Sequence, residues 1–160
     1  FTPLVMGGHQ ERGRRAGTEN VAAIVAMGAA AALRTRREQI DLSVLNTTLE
    51  EGLLAVGKAH VNGPSSDMRM STTVNISFLG VDARDLLKRL DELGVCASAG
   101  SACTTGSPEP SHVLRAMGLN EERCRSAVRF SLSRYTTKEE IDEAVKRITQ
   151  AVGELRERNR

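Results

Sequence analysis

The sequence contains few aromatic residues and no marked excess of either charge. Its 160 residues include no Trp, one Tyr and three Phe, too few for the stacking surfaces on which proteins bind single-stranded nucleic acid. The 22 basic and 20 acidic residues leave a formal net charge of +2, so no strong field attracts a polyanion. We therefore predict no nucleic-acid partner.

Long hydrophobic runs are also missing. The longest apolar stretch, residues 21–33, is rich in alanine and too short to span a bilayer. No secretory signal pattern is visible either. We expect a cytoplasmic protein with no membrane partner.

Cysteine is scarce as well. The three cysteines are Cys96, Cys103 and Cys124, and an odd number at irregular spacing does not make a disulfide framework. None of them forms the paired CxxC spacing of a zinc site. We predict no metal site, and we interpret Cys96 as strand packing and Cys124 as an incidental thiol.

What the chain does have is a loop of small residues around one cysteine. Residues 98–107 read SAGSACTTGS and are followed by PEPS. Glycine and serine on both sides of Cys103 favour an exposed, movable thiol over a buried structural sulfur. The same composition is also typical of a solvated loop in which the cysteine has no role. Composition alone leaves both interpretations open.

Two helices are predicted in the first 57 residues. The first runs from about Glu19 to Leu33 and has little polar face, so we expect it to be buried, with Thr18 as its N-cap. The second runs from about Ile40 through Leu54, with leucines along one side.

From His60 onward, short strands alternate with helices. Residues 73–78 alternate polar and apolar, which predicts a strand with its apolar side chains facing a core. Asp82 then caps a helix that Gly94 ends. A short strand at residues 95–97 leads into the loop around Cys103.

The last part of the chain continues this alternation. Ser111 is expected to cap a brief helix, and residues 127–133 form a strand with Arg129 on its polar face. Thr136 and Glu139 form a predicted capping box for a final helix with a single apolar stripe. The pattern as a whole predicts an α+β fold in which a layer of strands is backed by helices.

Three runs, in chain order, resemble motifs of the pyridoxal-phosphate cysteine desulfurases. Residues 98–118 (SAGSACTTGSPEPSHVLRAMG) resemble the active-cysteine loop, residues 7–20 (GGHQERGRRAGTEN) the phosphate-contact loop, and residues 127–137 (AVRFSLSRYTT) the substrate-carboxylate strand. The extended cysteine loop is similar to that of the NifS and IscS branch of the family, and the residues of the three motifs favour the NifS type.

The resemblance implies a fold-type I aminotransferase-like enzyme of which this chain is the C-terminal part. Residues 1–38 would be the tail of the large cofactor-binding domain, and residues 39–160 the small domain with the active-cysteine loop at about 98–111. None of the four lysines matches the context of the family's Schiff-base lysine. That lysine is therefore expected outside this chain, and the fragment alone is expected to be inactive.

The resemblance also implies a role for three residues. Cys103 would be the nucleophile that takes sulfur from L-cysteine as a persulfide and releases alanine. The sulfur would serve iron–sulfur cluster assembly, and the resemblance to the NifS type implies clusters associated with nitrogenase. Arg129 would bind the substrate carboxylate, and Thr18 would contact the phosphate of the neighbouring subunit's cofactor, which implies a homodimer. A scaffold or other acceptor protein would receive the sulfur. From the residues alone, Arg129 is better explained as a surface arginine on a sheet edge. Thr18 fits an ordinary helix cap, which is compatible with the phosphate contact.

Two alternatives stay open, the second of which comes from the family resemblance. The chain could be a non-catalytic module that dimerises or carries sulfur on Cys103, because it has no suitable lysine. It could also belong to a selenocysteine lyase, which uses a similar scaffold.

Overall fold

The computed structural model describes residues 2–36, 42–99 and 110–159. The chain separates into two units, residues 1–40 and 41–160. The predicted division between residues 38 and 39 falls close to this one, while the assignment of the two parts to a large and a small domain remains a prediction. The helices and strands of the described residues are α1 (Gln10–Gly13), α2 (Val21–Arg36), α3 (Ser43–Leu54), β1 (Ala59–Val61), a 3-10 turn (Ser66–Met68), β2 (Thr73–Phe78), α4 (Ala83–Glu92), α5 (His112–Ala116), α6 (Glu121–Arg125), β3 (Ala127–Ser131) and α7 (Lys138–Arg158).

The first unit consists of the short α1 and the apolar α2. We expected α2 to be buried. Within this chain that prediction is wrong, since Val21, Val25 and Met27 are 62, 63 and 71% exposed. A helix that is apolar on all sides needs cover on all sides, and the described residues of this unit do not provide it. The predicted Thr18 cap is also wrong, because α2 begins at Val21 and the Asn20 Oδ1 accepts from the Ala23 backbone N at 3.1 Å.

The second unit is built on a three-stranded antiparallel sheet in the order β1–β2–β3. The strand predicted at residues 73–78 is confirmed as β2, and the apolar side chains Val74, Ile76 and Phe78 are at most 1% exposed. Val128 and Phe130 of β3 are buried on the same face. The core therefore lies on one face of the sheet, and the polar residues of β2 and β3 occupy the other.

Three helices cover the apolar face: α3, α4 and α7 all contribute buried residues to the same core as β2 and β3. Asp82 caps α4 as predicted, with its carboxylate accepting from the Arg84 backbone N at 2.9 Å. Gly94 ends this region with φ +72°, a left-handed conformation that glycine adopts without strain. The predicted apolar stripe of α7 is also confirmed, with Ile148 and Val152 fully buried.

Several local predictions need correction. The capping box of α7 is Thr137 with Glu140, one residue later than predicted, because the Thr136 hydroxyl accepts from the Ser133 backbone N instead. Residues 95–97 are not a strand, and within the described residues 95–99 only Ser98 pairs with β3. Ser111 precedes α5, but its side chain makes no capping hydrogen bond. The predicted start of α3 at Ile40 lies outside the described residues.

Among the helices of the described ranges, none has the length and apolar character needed to cross a membrane.

Candidate active site

The polar face of the sheet holds Arg129 next to the beginning of the cysteine loop. The Arg129 backbone N donates to the Ser98 carbonyl at 2.7 Å, and the Ser98 N donates to the Arg129 carbonyl at 3.0 Å. This bridge fixes the chain at Ser98, five positions before Cys103. Cys103 itself lies outside the described residues.

The guanidinium of Arg129 is exposed and has no hydrogen-bond or ion-pair partner within residues 2–36, 42–99 and 110–159. The nearby Arg134 differs, because it lies 4.7 Å from the centre of the Tyr135 ring and donates to the Tyr135 hydroxyl at 2.6 Å. A planar guanidinium that is not already paired can bind a carboxylate through two parallel hydrogen bonds. Arg129 therefore remains the candidate for the substrate carboxylate.

Arg129 belongs to a row of polar residues that crosses the sheet. It is paired with Asn75 of β2 on one side and with Ser98 on the other, and the Asn62 backbone N donates to the Asn75 carbonyl at 2.8 Å. Paired residues in a sheet extend their side chains on the same face. The row Asn62, Asn75, Arg129 and Ser98 thus lies on the polar face, and the loop that carries Cys103 starts at its end.

A half-buried arginine, Arg123, contacts this row, and sequence reasoning did not find it. The Nη2 of Arg123 in α6 donates to the Asn62 Oδ1 at 2.7 Å and to the Val61 carbonyl at 2.8 Å. The Asn62 Nδ2 in turn donates to the Asn75 Oδ1 at 2.7 Å and to the Ser77 Oγ at 2.8 Å. The alternating pattern of residues 73–78 places Asn75 and Ser77 on the polar side of the strand. No sequence pattern indicates that Arg123, far along the chain, contacts this part of the fold.

Thr18 is described within the first unit, in the turn that precedes α2. The Arg15 guanidinium donates to the Gly17 and Thr18 carbonyls at 3.3 and 3.2 Å, and the Gly17 N donates to the Gln10 side chain at 3.2 Å. Thr18 is exposed, and no described residue forms a hydrogen bond with its hydroxyl. A hydroxyl with no partner among the described residues, on a residue whose carbonyl is bonded by the Arg15 guanidinium, is a donor that suits a phosphate.

The lysines of the chain all lie in the second unit, on its surface. All four, Lys58, Lys88, Lys138 and Lys146, are exposed. Lys138 pairs with Asp142, and Lys146 lies 3.8 Å from Glu143. A Schiff-base lysine needs an enclosed pocket that lowers its affinity for protons. None of these four lysines is enclosed by the described residues, and the expectation that the Schiff-base lysine lies outside this chain stays a prediction.

The two described cysteines have different environments. Cys96 is exposed, so the prediction that it packs in a strand is wrong, since residues 95–97 form no strand. Cys124 is buried against Leu114 and Ala127, and its Sγ lies 3.5 Å from the Leu119 carbonyl. No group of three or more His, Cys, Asp or Glu side chains able to hold a metal ion occurs among the described residues.

Comparison with known proteins gives consistent results. The family model for aminotransferase class-V matches residues 6–144. The cysteine desulfurase NifS of Azotobacter vinelandii is 49% identical over 160 residues, which cover 98% of this chain and 40% of that protein. Cysteine desulfurase 2 of Trichormus variabilis is 49% identical over 164 residues, with the same coverage.

Solved structures agree with these relatives. A NifS-like protein from Rickettsia africae superposes with a TM-score of 0.75 at 33% identity, over 94% of this chain and 39% of that chain. The predicted α+β fold and the resemblance to cysteine desulfurases are thereby confirmed. The chain spans about 40% of the length of the curated relatives that it matches.

Proposed function

Because the chain belongs to the aminotransferase class-V family, we propose that it is the C-terminal part of a pyridoxal-phosphate-dependent cysteine desulfurase. The main supporting observation is the bridge between Ser98 and Arg129. It joins the start of the active-cysteine loop to the strand that carries Arg129, whose guanidinium has no partner among the described residues. The 49% identity to cysteine desulfurase NifS supports the same reaction. In this proposal the Schiff-base lysine is supplied by residues outside this chain.

Each proposed residue has one task. Arg129 binds the carboxylate of L-cysteine by two charge-assisted hydrogen bonds and so orients the amino acid. Thr18 donates to the phosphate of the cofactor, which in a homodimer is that of the neighbouring subunit. Pyridoxal phosphate, when bound, supplies the electron sink that permits proton loss at Cα and cleavage of the carbon–sulfur bond.

Cys103 accepts the sulfur. Its thiolate attacks the substrate sulfur, so that a sulfur–sulfur bond forms, the carbon–sulfur bond breaks, and its electron pair and a proton go to carbon to give alanine. The sulfur of Cys103 is oxidised to a persulfide and the substrate carbon is reduced, which balances the step. A free thiol has a pKa of about 8.5, so the surroundings of Cys103 must favour the thiolate at neutral pH.

We also propose, from the same relatives, where the sulfur goes, how the domains divide and where the enzyme works. The persulfide sulfur passes to a scaffold or acceptor protein for iron–sulfur cluster assembly, and the similarity to NifS favours assembly of nitrogenase clusters. Residues 1–38 form the tail of the large domain, residues 39–160 form the small domain, and the enzyme works in the cytoplasm.

The test is mass spectrometry of the cofactor-loaded enzyme that contains this sequence, after incubation with L-cysteine. One added sulfur atom is expected on Cys103. Trypsin releases residues 90–115 as one peptide that holds both Cys96 and Cys103, so fragment ions must locate the sulfur between them. Cys103→Ala should abolish sulfur transfer and keep the cofactor absorbance, whereas the matched control Cys96→Ala should keep both.

Other outcomes separate the alternatives. Sulfur located on Cys96 would overturn the assignment of Cys103. A protein that binds pyridoxal phosphate and gains no sulfur would be a different enzyme of the family, and faster turnover of selenocysteine than of cysteine would identify a selenocysteine lyase. Failure to bind the cofactor would favour a non-catalytic dimerisation or sulfur-carrier module.

A further inference from the structure

We propose that Asn75 is a second ligand of the substrate carboxylate beside Arg129, and that Arg123 determines which end of the Asn75 amide faces the substrate. The inference rests on the proposed function, because it takes Arg129 as the carboxylate ligand. It depends on the pairing of two strands and on the polarity of a chain of hydrogen bonds.

The first step concerns how close Asn75 and Arg129 lie. The backbone N and carbonyl of Arg129 both bond to Ser98, and the Asn75 carbonyl bonds to the Asn62 N on its other side. The two residues are register partners in β2 and β3, so they form a non-hydrogen-bonded antiparallel pair. In such pairs the side chains are closest, with Cβ atoms about 4.5–5.5 Å apart.

The second step concerns polarity. A guanidinium only donates hydrogen bonds, so the amide atom of Asn62 that faces Arg123 at 2.7 Å must be Oδ1. The Asn62 Nδ2 therefore faces Asn75 and Ser77. Ser77 is consistent with this direction, because its hydroxyl donates to the Arg123 carbonyl at 2.7 Å and accepts from Asn62. The atom that Asn75 offers to Asn62 is consequently its acceptor, Oδ1.

The third step follows from the second. With Oδ1 bonded to Asn62 on the β1 side, the Nδ2 group of Asn75 is the part left to face the side of β2 where Arg129 lies. Nδ2 donates to no residue in the described ranges, and Asn75 is half-buried. Asn62 and Ser77 are 6 and 0% exposed, so the groups that hold Asn75 are shielded from water.

The pair then suits a carboxylate. Its two oxygens accept about four hydrogen bonds, of which Arg129 supplies two in the bidentate geometry. The neutral amide of Asn75 adds a further donor from a fixed direction. This restricts the orientation of the amino acid more than one flexible arginine side chain does.

The discriminating variant is Asn75→Asp. Aspartate has the same shape and keeps an acceptor for Asn62, but it replaces the outward donor with an anionic oxygen that repels a carboxylate and pairs with Arg129. We expect at least a tenfold weaker binding of L-alanine by the cofactor-loaded enzyme, measured by calorimetry. Binding of L-alaninamide, which has no carboxylate, should change much less.

Two further variants and a control complete the test. Asn75→Ala should weaken L-alanine binding by about tenfold, because a hydrogen bond to a charged group is lost. Arg123→Gln should weaken it less, since glutamine can present either amide atom to Asn62. Thr73→Val, on the same strand and the same face, should leave both ligands unaffected. In turnover assays Asn75→Asp should raise KM for L-cysteine far more than it lowers kcat.

The outcomes distinguish the two proposals. If Arg129→Ala leaves L-alanine binding unchanged, the carboxylate site of the proposed function is wrong. If Arg129→Ala weakens binding and both Asn75 variants do not, only the role of Asn75 is overturned. Equal loss of L-alanine and L-alaninamide in the Asn75 variants would show a purely structural role and would also overturn the inference.

Discussion

Replacement of Gly52 by alanine is expected to destabilise the second unit, although helix propensity predicts the opposite. Gly52 lies inside α3, where alanine is favoured over glycine by about 0.5–1 kcal/mol. A Cβ atom at this position would lie 2.8 Å from the Cγ2 and 2.9 Å from the Cγ1 of Val145 in α7. The missing side chain thus allows α3 and α7 to pack closely.

The cost can be estimated from this geometry. Both methyl groups of Val145 are too close, and its Cβ would be only 3.4 Å away. Valine in a helix is held largely in one rotamer, so rotation cannot remove the overlap, and the two helices must shift. Overpacking of this kind costs about 1–3 kcal/mol. With mid-range values, a cost of about 2 kcal/mol less a gain of about 0.75 kcal/mol, Gly52→Ala should lower the free energy of unfolding by about 1 kcal/mol.

Urea unfolding followed by circular dichroism measures this difference. The matched control is Gly153→Ala in α7, where a Cβ atom would meet nothing within 4 Å and a gain of about 0.5–1 kcal/mol is expected. The double variant Gly52→Ala with Val145→Ala should lose less than the two single losses added together. A Gly52→Ala protein as stable as the unmodified chain would refute the reasoning.

Three local contacts are open to single substitutions. Thr137→Ala should lower the free energy of unfolding by about 1 kcal/mol, because its hydroxyl accepts from the Glu140 N at 3.2 Å; an unchanged urea midpoint would contradict this. Arg156→Lys should lower the free energy of unfolding by about 1–2 kcal/mol, since the guanidinium donates to three loop carbonyls at 3.1–3.3 Å. Equal stability of the lysine variant would show that these three hydrogen bonds do not stabilise the fold. The hydrogen bond from Arg84 lowers the pKa of Asp82 in the folded protein. The ionised Asp82 carboxylate therefore stabilises the fold fully above the ordinary aspartate pKa of about 3.9, and this stabilisation is lost as pH falls through the lower folded pKa. The stability difference between the unmodified chain and Asp82→Asn should shrink over that acid range in pH-dependent unfolding, and a difference independent of pH would exclude this linkage.

The elements predicted correctly depend on signals that are local in the sequence. The alternation of residues 73–78 needs only a period of two, and the cap at Asp82 needs only an acceptor two positions before a backbone N. The stripe of α7 follows from the helical period. Each of these signals is contained within one element, so no knowledge of the packing was required.

The misplaced caps show where local signals become ambiguous. Thr18 and Asn20 are both good capping residues, and only the observed start of α2 assigns the role to Asn20. Thr136 and Thr137 are adjacent, and the first is taken by the turn that binds the Ser133 N. Where two equivalent acceptors lie within two positions, the preceding turn decides between them, and for α7 that turn directly follows β3.

The candidate site shows a different limit. The alternation of residues 127–133 placed Arg129 on the polar face, but it carried no information on the direction of the hydrogen bonds beside it. That direction comes from Arg123, which is 61 positions from Asn62 in the chain and contacts it in the fold. An asparagine can present either a donor or an acceptor, whereas arginine can only donate. The chemistry offered to a carboxylate by Asn75 is therefore determined two hydrogen bonds away, by a residue that no spacing rule connects to it.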